Sequence, residues 1–113
     1  MSAITTHVLD TARGRPAEGI AVRLDVQEGG TWRELGSGAT DADGRLRTLL
    51  PPGTALSRAC YRLTFATESY LLGHGREVFF PEIAIAFFVS DPSAHHHVPL
   101  LLSPFAFSTY RGS

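Results

Sequence analysis

Apolar and polar residues alternate most regularly over residues 20–26, where Ile20, Val22, Leu24 and Val26 share one face and Arg23 and Asp25 the other. A period of two predicts a strand with one buried face. Residues 4–9 read as an earlier strand, and 11–19, with two glycines and a proline, as the loop between them. Glu28-Gly29-Gly30 turns the chain into a strand over 31–35, and Asp41-Ala42-Asp43-Gly44 turns it into another over 45–50. Pro51-Pro52-Gly53 ends that strand. Residues 60–65 alternate again, and 68–72, before Gly73, are the one candidate helix. Residues 83–89 are apolar on both faces, as expected of a strand covered by the core on one side and by a partner on the other. Strands over 95–102 and 105–110 complete the chain. About eight short strands with at most one short helix predict an all-β, two-sheet sandwich.

Composition narrows the possible functions. A chain of 113 residues, 43% apolar and 19% charged, is expected to form one domain over residues 1–113. Ten basic residues against eleven acidic ones give a net charge of −1. They form no run that would attract nucleic acid or an anionic bilayer. All ten basic residues are arginine, so Schiff-base chemistry on a lysine is excluded. Cys60, the single cysteine, rules out an internal disulfide and reads as a core thiol. With no basic-then-apolar leader and no stretch near the ~20 apolar residues of a membrane span, the expected location is cytoplasmic.

Candidate chemistry lies with the histidines. His95, His96 and His97 are consecutive in a segment read as a strand, which puts His95 and His97 on one face and His96 on the other. A solvated strand end would explain such a pair, but the apolar run over 98–102 favours a sheltered position. With His7 the pair could supply three imidazoles to zinc, and adjacent histidines can equally act as acid and base without metal. His7 by itself reads as a hydrogen-bonded core histidine. Arg45, after a glycine turn, reads as a solvated arginine whose planar fork would nonetheless suit a planar anionic ligand. The aromatic stretch over 105–110 runs almost to Ser113, which predicts a tail packed into something. There is no phosphate loop and no Gly-x-Ser-x-Gly elbow.

Several separated stretches carry a family resemblance: Thr6-His7-Val8-Leu9-Asp10, Gly14-Arg15-Pro16-Ala17, Thr40-Asp41-Ala42-Asp43-Gly44-Arg45, Phe79-Phe80-Pro81-Glu82, His97-Val98-Pro99-Leu100-Leu101-Leu102-Ser103-Pro104 and Ser108-Thr109-Tyr110-Arg111-Gly112-Ser113. In this order they resemble the 5-hydroxyisourate hydrolases, purine-catabolic relatives of the hormone carrier transthyretin. The resemblance implies a transthyretin-like β-sandwich of eight strands and one short helix, assembled into a homotetramer with substrate sites at the dimer-dimer interface. It implies hydrolysis of the N1–C6 bond of 5-hydroxyisourate, without cofactor or metal. It places His7, Arg45 and His97 in the reaction and Tyr110, Ser113 and His95 around the substrate. Two features depart from the family. His96 stands where an aromatic residue commonly separates the histidines, which keeps zinc at His7, His95 and His97 open, and the segment 55–59 is longer than usual.

Overall fold

The structure, a computed structural model, describes residues 2–113. The strands are β1 (Ile4–Asp10), β2 (Arg15–Pro16), β3 (Ala21–Glu28), β4 (Thr31–Ala39), β5 (Arg45–Leu46), β6 (Ala59–Ala66), β7 (Ile83–Val89), β8 (His96–Leu102) and β9 (Phe107–Thr109). The helix α1 (Thr67–Gly73) follows β6 directly. One sheet runs β2-β1-β8-β9 with β5 also paired to β1, and the other runs β4-β3-β6-β7. β1 and β8 are parallel, with His7 opposite Pro99 and Thr5 opposite His97. The remaining pairs are antiparallel.

Alternation decides which side chains meet between the sheets. Ile4, Val8, Val98, Leu100 and Leu102 of the first sheet are buried with Val22, Leu24, Val26, Leu63 and Phe65 of the second. Each such side chain contributes about 1.5–3 kcal/mol through burial. Thr5, His7 and His97, one position out of phase, lie on the opposite face of the first sheet, so the core pattern itself brings them to one surface.

Nine strands form among the described residues, where about eight were expected. The addition is β2, a two-residue ladder with β1 inside the expected loop, too short to show a period. The expected strand over 45–50 keeps only Arg45–Leu46. Beyond it the chain crosses toward β4, where a Cβ on Gly36 would lie 1.9 Å from the Leu49 carbonyl oxygen. Leu46, Leu49 and Leu50 are buried by this crossing, which a sheet-bound strand would not allow. β4 outruns its expected end at Leu35, because a register shift at Leu24/Asp25 absorbs one residue and pairing continues to Ala39. Outward on β7, Ala84, Ala86 and Phe88 are exposed.

Candidate active site

Arg45 is delivered by a turn bolted to the neighbouring strand. The Asp41 carboxylate accepts hydrogen bonds from the backbone N–H groups of Asp43 at 2.9 Å and Arg45 at 3.0 Å. The Arg45 bond is the leading reason its carboxyl is held below the usual aspartate value. Gly44 has φ +75°, and a Cβ there would lie 2.4 Å from the Val8 carbonyl oxygen. Only glycine satisfies both demands. The Val8 N–H donates to the Gly44 carbonyl at 2.8 Å, locking the turn to β1 and setting Arg45 directly opposite His7.

His7 is itself fixed by this turn, because its Nε2–H donates to the Asp43 carbonyl at 2.9 Å. A carbonyl can only accept, so neutral His7 carries its proton on Nε2 and leaves Nδ1 free. On β8, His95 and His97 do share a face: their rings lie 6.4 Å apart at 22°. Both contact the buried hydroxyl of Thr5, His95 through Nε2 at 3.0 Å and His97 through Nδ1 at 2.7 Å. His96 turns inward as alternation predicted. It is 3% exposed, donates Nδ1–H to the Ala94 carbonyl and stacks on Phe87.

A cleft of about 300 Å³ is lined by Thr5, Thr6, Arg45, Arg47, His95, His97 and Ser113. Burial pushes the His97 imidazole below the ordinary histidine value of 6.5, and the positive surroundings of His95, Arg45, His7 and Arg47 push it further the same way. The cleft therefore holds a neutral imidazole beside guanidinium groups at neutral pH. That combination can accept a proton from water while an adjacent fork stabilises developing negative charge on a carbonyl.

Of the expected site residues, Arg45, His95, His97 and Ser113 line this cleft, and His7 flanks Arg45. Tyr110 lines a different groove, with Phe88, His96 and Arg111. Sequence reading missed Thr5 and Arg47, although each stands two residues from a named site residue on the same side of its segment. The rings of His95 and His97 share the Thr5 hydroxyl while His7 bonds to the Asp43 carbonyl, and among the described residues no three His, Cys, Asp or Glu side chains are grouped to hold a metal.

The HIUase/Transthyretin family model matches residues 4–112. The chain belongs to this family. It is 46% identical to a uric acid degradation bifunctional protein of Arabidopsis thaliana over 97% of its own length, and spans 37% of that longer protein. It is 44% identical to the 5-hydroxyisourate hydrolase of Mus musculus, covering 99% of this chain and 96% of that one. The solved 5-hydroxyisourate hydrolase of Klebsiella pneumoniae superposes with a TM-score of 0.83 at 38% identity, over 97% of this chain and 98% of the other. The turn at Gly44 delivers Arg45, and β8 delivers His97, to one cleft.

Proposed function

We propose that this chain is a 5-hydroxyisourate hydrolase that cleaves the N1–C6 cyclic amide bond with water, giving 2-oxo-4-hydroxy-4-carboxy-5-ureidoimidazoline. The observation that carries the reading is the neutral His97 held in one cleft with Arg45, in a chain 44% identical to a hydrolase of that name. His97 takes a proton from water as the oxygen adds to C6. Arg45 holds the oxyanion with its fork. As the C6–N1 bond breaks, protonated His7 donates from Nδ1 to N1, since its Nε2–H is engaged with Asp43. Ser113 and His95 border the substrate from the cleft wall. None of these steps calls on a metal or cofactor.

Homotetramer assembly is part of the same proposal. β7 and β9 are open sheet edges, Phe88 is 77% exposed and Tyr110 57% exposed, and the cleft is partly open to solvent. A second copy would cover the apolar edges and close the cleft. A contact from Tyr110 to substrate requires such a copy to bring its groove to the histidines. No described helix is long and apolar enough to cross a membrane. The lone thiol of Cys60 supports a reducing compartment, the cytoplasm.

The test generates 5-hydroxyisourate in place with urate oxidase and follows its ultraviolet absorbance with and without the protein, before and after EDTA. Accelerated decay that survives the chelator is expected. Loss with EDTA would move the chemistry to zinc, and no acceleration would leave a binding protein on the same fold. His97→Asn should lower kcat about 10²- to 10⁴-fold, the usual range for losing an acid-base group.

A further inference from the structure

A histidine acting as a base is usually oriented by a carboxylate on its other ring nitrogen. Among the described residues no Asp or Glu side chain hydrogen-bonds or pairs with His95 or His97. Their common partner is the Thr5 hydroxyl, 3.0 Å from His95 Nε2 and 2.7 Å from His97 Nδ1. Thr5 is 3% exposed, lies on β1 between β5 and β8, and faces His97 across the parallel ladder. Its β-branched side chain has little freedom to leave this position.

A hydroxyl carries one proton. With both rings neutral, and with only these two ring partners for its oxygen among the described residues, the buried hydroxyl satisfies its proton by donating to one ring while it accepts from the other, so the two tautomers are locked together, both Nδ1–H or both Nε2–H. When His97 holds its proton on Nδ1, Nε2 is free to accept from water, and His95 must accept at its own Nε2. In the opposite arrangement His97 Nε2 already bears a proton and cannot act as base. The orientation of one buried O–H thus decides whether His97 is competent.

We propose that Thr5 is a positioning residue whose single hydroxyl couples His97 to His95, so that the positive charge created when His97 deprotonates water ends on His95. This rests on the reading of His97 as the base. Water gives a proton to His97 Nε2, His97 releases its Nδ1 proton to Thr5 Oγ1, and Thr5 passes its own hydroxyl proton to His95 Nε2. His97 is left neutral with its proton on Nε2, His95 is an imidazolium, and the hydroxide adds to the carbonyl. Protons and charge balance without a co-reactant. The transfer is downhill in solvation, because His95 is exposed and His97 half-buried. Arg45 on β5, Arg47 just beyond it and His7 on β1 also oppose a cation at His97.

The experiment compares wild type with Thr5→Val, which keeps the shape, Thr5→Ser, which keeps the hydroxyl, and His95→Gln. Thr5→Val should lower kcat about 10- to 100-fold, the range for losing an outer partner of a functional histidine, with KM changed less than about twofold. Its acid limb in kcat/KM against pH should move, and Thr5→Ser should recover most of the rate. The Thr5→Val/His95→Gln double variant should be no slower than the worse single one, as for two links of one chain. Nitrogen-15 NMR of intact protein without substrate supplies the second readout: neutral His97 should be the Nδ1–H tautomer in wild type and shift to Nε2–H in Thr5→Val. A Thr5→Val protein with wild-type kcat, an unmoved pH limb or an unchanged His97 tautomer overturns the relay. Wild-type protein that fails to accelerate substrate decay overturns the hydrolase reading and the catalytic use of the relay, while the NMR result still decides whether Thr5 sets the tautomer.

Discussion

Gly112 holds His97, the proposed base, from behind. Its N–H donates to the His97 carbonyl at 2.8 Å, and a Cβ on it would meet His97 Cδ2 at 2.6 Å. The ring has no room to yield, because its Nδ1 is tied to Thr5 at 2.7 Å. Gly112→Ala is therefore expected to break either the Gly112 bridge or the Thr5 bond, lowering kcat about tenfold or more while the melting temperature moves by only a few degrees. Steady-state kinetics beside thermal unfolding measures both, and unaltered kcat would show that His97 does not depend on this contact. Much of the site was legible at this scale. The pair His95 and His97 follows from alternation, and His7 and Arg45 from the family motifs. Thr5 and Arg47 were invisible because a threonine in a strand and an arginine after a turn are ordinary residues. Only the register of β1 against β8 brings Thr5 to His97, and only the fold brings Arg47 to the same cleft.

The turn before β5 and the far end of β1 show two ways in which elements hold the cleft. At the first, Asp41 and Gly44 fasten the turn; at the second, buried Asp10 receives hydrogen bonds from Tyr70 of α1 at 2.7 Å, Arg76 at 2.9 Å and the Arg13 N–H at 3.1 Å. Burial pushes the Asp10 carboxyl up, but Arg76, Tyr70 and Arg13 together outweigh it, and its pKa lies below the ordinary 3.8. The carboxylate's contribution is accordingly present above that ordinary value and lost as pH falls through the lower folded one. Asp10→Ala leaves Arg76 facing an empty buried site and should cost about 3–5 kcal/mol at neutral pH, measured by urea unfolding. The deficit should shrink in acid, where wild type loses the same interaction. A cost below about 1 kcal/mol at neutral pH would mean that α1 is anchored elsewhere. The sequence made β3, β6 and β8 legible because each buries one face over seven or more residues. β2 and β5 are two residues each, and no periodicity exists over that length. The crossing after Leu46 depends on the missing Cβ of Gly36 on another strand, a contact that local sequence cannot express.

At the scale of the whole molecule, β7 and β9 are the edges on which the proposed assembly would rest. β7 presents Ala84, Ala86 and Phe88 outward from a sheet edge, and Phe105, Phe107 and Tyr110 extend the apolar surface beside β9. An uncovered edge of this kind templates unwanted pairing, so the proposed covering copy would protect the chain as well as close the cleft. Phe88→Arg places a guanidinium on this face in every copy, which a symmetric contact would bring close to its own image. Sedimentation at micromolar concentration should find a smaller species than wild type, with the monomer dominant if β7 makes the primary contact. An unchanged mass would assign assembly to another surface. The activity of the dissociated chain then discriminates further. Thr5, His7, Arg45, His95 and His97 all come from one chain, so their hydrogen bonds survive separation, whereas the wall that the proposed second copy would add does not. Dissociation should therefore raise KM more than it lowers kcat, because the machinery stays aligned while substrate is held from one side only. A collapse of kcat at unchanged KM would instead mean that a neighbouring copy contributes a group to the reaction itself.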